Sequence, residues 1–142
     1  MALDVELLRS SFALVAEREP QLTIRFYEIL FDRYPQVRPL FGVWNRNQAQ
    51  MLQDALMAVV DHLEDAPWLA STLAGLGRTH LDYGVTPEMF AWVGECLLAT
   101  LADVAGRDWT PALEAAWAEA YGAVAGLMQE GMTGAVPARK AS

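Results

Sequence analysis

The chain has 142 residues, 54% of them hydrophobic and 20% charged, with a formal net charge of −8 and an isoelectric point near 4.6. That length fits one domain with a substantial core, and the acidic balance argues against nucleic acid or an anionic membrane as partner, because either would repel such a surface. The single cysteine, Cys96, excludes an internal disulfide and a cysteine-based zinc site, and suits a reducing compartment.

Nearly every segment repeats its apolar residues with a helical period and none alternates for long, which predicts an all-α protein. Acids in Met1-Ala2-Leu3-Asp4-Val5-Glu6 stand where a secretory signal would be basic, and no uncharged apolar run approaches about 18 residues. A cytoplasmic protein without a membrane span is expected. Asp4 can cap a first helix with Val5, Leu8, Phe12 and Val15 on one face, and Pro20 marks its end. A second helix is expected from about Pro20 to Tyr34, with Ile24, Tyr27, Leu30 or Phe31, and Tyr34 inward. Pro35 and Pro39 then prevent a long helix and leave a short turn ending in Phe41. Gly42, Asn45 and Asn47 read as loop.

A third helix spans about Asn47 to Glu64, with Gln48, Leu52, Leu56 or Ala55, Val59 and Leu63 on one stripe. Pro67 separates it from a fourth, in which Leu69, Leu73, Leu76 and His80 share a face and Gly84 supplies the stop. Thr86-Pro87-Glu88 starts a fifth helix with Phe90, Val93, Leu97 and Leu101 inward, ended by Gly106. Thr110-Pro111 starts the last, with Leu113, Trp117, Ala120 or Tyr121, Val124 and Leu127 inward. The pattern fades after residue 132, leaving one domain over residues 1–132 and a flexible tail over residues 133–142.

His80 is the residue with the clearest chemistry. It places an imidazole where the helical pattern calls for leucine. Taken alone, such a histidine is more often a hydrogen-bonded core residue than a metal ligand. Its surroundings change that reading. The order is long helix, long helix, short proline turn with Phe41, long helix, histidine-bearing helix, then two long helices. With Phe26-Tyr27-Glu28-Ile29-Leu30-Phe31, Tyr34-Pro35-Gln36-Val37-Arg38-Pro39-Leu40-Phe41, Leu76-Gly77-Arg78-Thr79-His80, Tyr83-Gly84-Val85 and Ala116-Trp117-Ala118-Glu119-Ala120-Tyr121-Gly122 in that order, the chain resembles the bacterial single-domain globins and the haem domain of flavohaemoglobins over nearly its whole length.

The resemblance implies a globin fold of about seven helices around a haem pocket, with noncovalent haem b, since no C-x-x-C-H attachment motif exists. It implies that His80 is the proximal iron ligand, that Phe41 packs flat on the porphyrin, and that Tyr27, Gln48 and Leu52 form the distal side. Gln48 precedes His80 by 32 residues, and a shift of one turn would offer Leu52 or Gln53 in its place. Leu52, Leu56, Leu76, Val85, Phe90 and Val93 complete the implied pocket. Arg78 reads as an exposed arginine in preference to a propionate partner, and His62 as a solvated residue off the apolar stripe.

The resemblance also exposes a departure. Where flavohaemoglobins surround the proximal histidine with a tyrosine and a glutamate, this chain aligns Phe90 and Met132, while Glu130 should face elsewhere. The His80 ring N–H is then expected to find the Leu76 carbonyl, which gives a more neutral imidazole suited to reversible binding. The implied function is binding of dioxygen, with nitric oxide, carbon monoxide or sulfide as other ligands, for storage, delivery or sensing. The alternative is nitric oxide dioxygenation with a separate reductase, since no flavin or nicotinamide motif is present. A monomer or homodimer fits either.

Overall fold

A computed structural model of the chain describes residues 4–41 and 46–133. The expected loop residues Gly42 and Asn45, and the tail from residue 134, lie outside the described residues. The described residues form six α-helices and two 3-10 helices: α1 Val5–Arg18, α2 Leu22–Arg33, a 3-10 helix Pro35–Phe41, α3 Arg46–Asp61, α4 Ala66–Asp82, α5 Pro87–Ala105, a 3-10 turn Gly106–Asp108 and α6 Pro111–Met132. No strand occurs among the described residues. The six α-helices and the longer 3-10 segment are the seven helices expected, in the expected order.

Local chemistry explains most boundaries. The Asp4 carboxylate accepts from the Leu7 N–H at 3.2 Å, Asp65 from Trp68 N–H at 3.2 Å, and the Thr110 hydroxyl from Leu113 N–H at 3.1 Å. Each satisfies an orphan donor at a helix start. Pro67 falls inside the first turn of α4, where its missing N–H costs nothing, so it opens that helix and Asp65 marks the boundary. Thr86 is extended like Thr110 but makes no side-chain cap bond. Gly84 and Gly106 carry the positive φ values, 92° and 56°, that end α4 and α5 at little steric cost.

Helix α5 runs through the middle, packing on α1, α2 and α6, while α4 lies chiefly against α6 and α2 also touches α3 and the 3-10 helix. The stretch Pro87–Asp108 is long and apolar enough to cross a membrane. Its burial of Phe90, Cys96, Leu97, Leu101 and Ala105 and its ion pairs from Asp103 to Arg25 and from Glu95 to Arg33 account for that apolarity as the core helix of a bundle. Because α2 packs on two sides, its buried face is Leu22, Thr23, Phe26, Tyr27 and Leu30, broader than the single stripe expected, and Ile24 and Tyr34 are only half-buried.

Helix α1 contributes two arginines that close other helices. Arg9 donates to the Val60 carbonyl at 3.1 Å and the Asp61 carbonyl at 3.3 Å, and Arg18 to the Ala105 carbonyl at 2.9 Å. A cation on these terminal carbonyls also complements the negative end of the helix dipole. Helix α4 meets α6 at two glycines: a Cβ on Gly77 would overlap the Met128 carbonyl, and one on Gly131 would overlap the Ala74 carbonyl. Close backbone approach at these points fixes the line of α4, the helix that carries His80.

Candidate functional site

Apart from Leu73 in α4, helices α3 and α4 bury residues other than those on their expected apolar stripes. In α3 the buried residues are Ala49 and Val60, which lie beside the stripe, while Gln48, Leu52, Leu56, Val59 and Leu63 are half-buried. In α4 the buried residues are Leu73, Ala74 and Gly77, turned toward α6, while Leu69 and His80 are half-buried and Leu76 is 36% exposed. The two helices form no extended packing with each other. Both therefore present apolar faces that protein only partly covers, and an apolar face of that kind is unfavourable in water unless a ligand or partner lies on it.

His80 sits on the α4 face. Its Nδ1 lies 2.7 Å from the Leu76 carbonyl oxygen, an atom that can only accept, so Nδ1 carries the proton and Nε2 presents a lone pair. The bond expected from the sequence is thus present. The His80 carbonyl accepts from the Tyr83 and Val85 N–H groups, both at 3.1 Å, which folds the chain back at Gly84. A Cβ at Gly84 would stand 3.7 Å from Leu40 Cδ2, so the proline turn ending in Phe41 abuts this corner. The Phe90 ring lies 6.4 Å from the imidazole, tilted by 38°. Met132 is half-buried and Glu130 exposed.

Tyr27, Phe41 and Gln48 come together. The Tyr27 ring is 8% exposed and lies 5.4 Å from Phe41 edge-on, 5.6 Å from Phe31 and 5.2 Å from Phe26. Burial pushes its phenol up to about 12, so it is a neutral O–H donor at any ordinary pH. Gln48 donates from Nε2 to the Phe41 carbonyl at 3.4 Å, a long bond near the geometric limit. Leu52, Leu56, Phe41 and Val93 all pack against the core that contains Tyr27, whereas Leu76, His80, Val85 and Phe90 lie outside it.

The donor set tests which metal could be held. Among the described residues no group of three or more His, Cys, Asp or Glu side chains is placed to hold an ion. One neutral imidazole beside apolar faces suits a metal that arrives with its own equatorial ligands, as haem iron does. The residues present therefore fit a haem.

Three features were not visible in the sequence. His62, expected to be solvated, is half-buried, stacks on Trp68 with centroids 3.8 Å apart, and bonds through Nδ1 to the Ala58 carbonyl at 2.7 Å. Its helical spacing gave no hint of Trp68, which belongs to the next helix. The Tyr121 hydroxyl donates to the Phe90 carbonyl at 2.7 Å, and Gly77 and Gly131 set the α4–α6 contact. Arg78 is exposed, as expected.

Comparison with known proteins bears on the family and the fold. The family model "Globin" matches residues 24–128. The chain is 32% identical over 124 residues to a flavohemoprotein of Bacillus anthracis, which covers 85% of this chain and 30% of that protein. It thus spans about a third of the length of such relatives. An uncharacterized globin-like protein of Aquifex aeolicus is 30% identical over 82% of this chain and 83% of its own length. Among solved structures, an engineered carbene transferase from Rhodothermus marinus, itself an inferred nitric oxide dioxygenase, superposes with a TM-score of 0.83 at 27% identity over the whole of both chains. A bacterial globin from Campylobacter jejuni superposes at 0.75 and 24% identity, covering 91% of this chain and 94% of its own, and shares the fold.

Proposed function

The chain belongs to the globin family, and from that premise we propose that it holds noncovalent haem b through His80 and reversibly binds dioxygen or a similar diatomic gas. Storage, delivery or sensing in the cytoplasm, by a monomer or homodimer, is the role this suits. The observation that carries the reading is the His80 imidazole, with Nδ1 committed to Leu76 and Nε2 left to donate from a half-covered apolar face.

When bound, haem would supply an iron that His80 would hold and that could take up a gas molecule. His80 would hold it through Nε2 and, with Nδ1–H given to a carbonyl and not to a carboxylate, would donate less electron density than a carboxylate-bonded ring. That balance favours reversible binding over peroxidase chemistry. Tyr27, protonated at all ordinary pH, can donate a hydrogen bond to a partly negative ligand atom, and the Gln48 amide can add a second once it leaves the Phe41 carbonyl. Phe41, Leu52, Leu56, Leu76, Val85, Phe90 and Val93 would exclude water, a condition that keeps a neutral gas bound.

A second reading is nitric oxide dioxygenation, in which nitric oxide, dioxygen and one electron become nitrate, the electron coming from a separate reductase. The full-length likeness to the Rhodothermus marinus protein favours it. Carbon monoxide and sulfide are further ligands for the same position. The first test is an absorption spectrum of ferric, ferrous and oxygenated protein. A Soret band that persists in His80→Ala would overturn the ligand assignment. The second mixes oxygenated protein with nitric oxide and a reductase: sustained nitrate production supports the enzyme, and a single stoichiometric burst supports the carrier.

A further inference from the structure

Tyr121 is placed to act on His80 without touching it. Its ring lies across α5 at Gly94, where a Cβ would come within 2.6 Å of Tyr121 Cε2. The phenol reaches past that glycine to the Phe90 carbonyl, one turn earlier, at 2.7 Å. A helical carbonyl has a second lone pair available for such a bond, and the phenol is largely buried, with its acidity suppressed by desolvation. The Phe90 ring in turn lies 6.4 Å from the His80 imidazole. A chain of contacts thus runs from α6 through the first turns of α5 to the histidine on α4. On its own side of the ring, His80 has only the Leu76 carbonyl to orient it among the bonds described.

We propose that Tyr121, seated at Gly94, is a positioning residue that pins the start of α5 to α6 and thereby sets the packing of Phe90 on the His80 imidazole. The consequence for iron ligation rests on the haem reading above; the placement of the two rings does not. The bolt is specific in its geometry: removing the phenol oxygen frees the Phe90 turn, and adding a methyl at Gly94 displaces the Tyr121 ring while keeping the hydroxyl. Both should loosen the same ring contact by different routes.

The test compares Tyr121→Phe and Gly94→Ala with Trp117→Phe, which removes a more deeply buried hydrogen bond from the same helix, that of the Trp117 indole to Ser11 at 2.9 Å. In the protein without haem, the His80 ring protons feel the Phe90 ring current, and their NMR resonances should shift or broaden in Tyr121→Phe and Gly94→Ala but stay in place in Trp117→Phe. In the haem-loaded protein, the iron–histidine stretching band should move in the first two variants only, and haem loss should accelerate about threefold to tenfold, as expected for one hydrogen bond. Unchanged His80 resonances in Tyr121→Phe, or equal changes in Trp117→Phe, would overturn the inference. Failure of the wild-type chain to take up haem would instead overturn the proposed function, leaving the NMR comparison to decide the role of Tyr121.

Discussion

Gly75 and Gly77 sit two residues apart in the same helix, and replacing each with alanine should have opposite effects. At Gly75 a Cβ meets nothing within 4 Å, so alanine acts mainly by stiffening the unfolded chain and improving helix propensity, a gain of about 0.5–1 kcal/mol. At Gly77 the same Cβ would overlap the Met128 carbonyl oxygen and lie 2.7 Å from its carbon. The obstacle is helix backbone, which no rotamer change can move. Helices α4 and α6 must then separate, and overpacking of this sort costs about 1–3 kcal/mol. With the obstacle this rigid, the upper part of that range applies, and it outweighs the propensity gain by about 2 kcal/mol. For a domain of this size each kcal/mol moves Tm by about 3–5 °C. Gly75→Ala should therefore melt about 2–4 °C higher, and Gly77→Ala about 6–10 °C lower, by calorimetry or circular dichroism at matched ligand state. Gly131→Ala, blocked by the Ala74 carbonyl on the same interface, should resemble Gly77→Ala. The double variant should cost less than the two together, because one separation relieves both clashes. Equal stability of Gly75→Ala and Gly77→Ala would refute the close-approach argument.

Alkaline stability should follow the buried phenols. The Tyr27 pKa is raised from 10.0 to about 12 by desolvation, so the folded state holds its proton more tightly; the related stability is complete below pH 10 and is lost as pH rises through 12. Tyr121 is shifted in the same direction by the same cause. Urea unfolding between pH 9 and 12 should show a fall of about 2–3 kcal/mol attributable to Tyr27, reduced in Tyr27→Phe; an identical slope in that variant would contradict the burial effect. In the haem-loaded protein Tyr27→Phe should also speed oxygen release about tenfold by stopped flow, the loss of one hydrogen bond of ~1.5 kcal/mol, and an unchanged rate would remove Tyr27 from the ligand's surroundings. Ser11→Ala should strand the buried Trp117 indole N–H and cost about 1–3 kcal/mol, measurable by denaturant titration of tryptophan fluorescence; a neutral result would mean that the indole finds another acceptor.

The helices were legible because their ends are written in local chemistry: Asp4, Thr110-Pro111, Gly84 and Gly106 stand where the backbone needs a cap, a fixed φ or a left-handed turn. Pro67 stands in the first turn of α4, just after the break between α3 and α4, because a proline suits a helix start as well as a break. The His80 to Leu76 bond was also legible, since a ring N–H four residues along a helix from a carbonyl has few other acceptors in reach. What escaped the sequence is contact between distant segments. The Arg9 and Arg18 bonds to the ends of α3 and α5 span 51 and 87 residues, and the Tyr121 bond to Phe90 spans 31. No periodicity encodes such pairings, because they depend on how helices cross and not on how each one winds.

The mismatch between expected and observed burial is itself informative about the site. Periodicity finds the face of a helix that must leave water, but it does not say what covers that face. In α5 the expected residues Phe90, Leu97 and Leu101 are buried by other helices and Val93 is half-buried, so pattern and packing largely agree. In α3 and α4 they agree less: Leu73 of the α4 stripe is buried, but Leu52, Leu56, Leu69, Leu76 and His80 stay partly uncovered, while Ala49, Val60, Ala74 and Gly77 beside the stripes are buried. These helices thus meet their neighbours mainly on one side and leave several large apolar side chains on a second side. A fully buried leucine gains about 1.5–3 kcal/mol over an exposed one, so several half-covered ones hold a few kcal/mol that a flat apolar ligand can collect on binding. Leucines left partly uncovered there, with the His80 imidazole among them and its Nδ1 committed to Leu76, are the part of the hydrophobic pattern that the protein itself does not satisfy and that the proposed haem would cover.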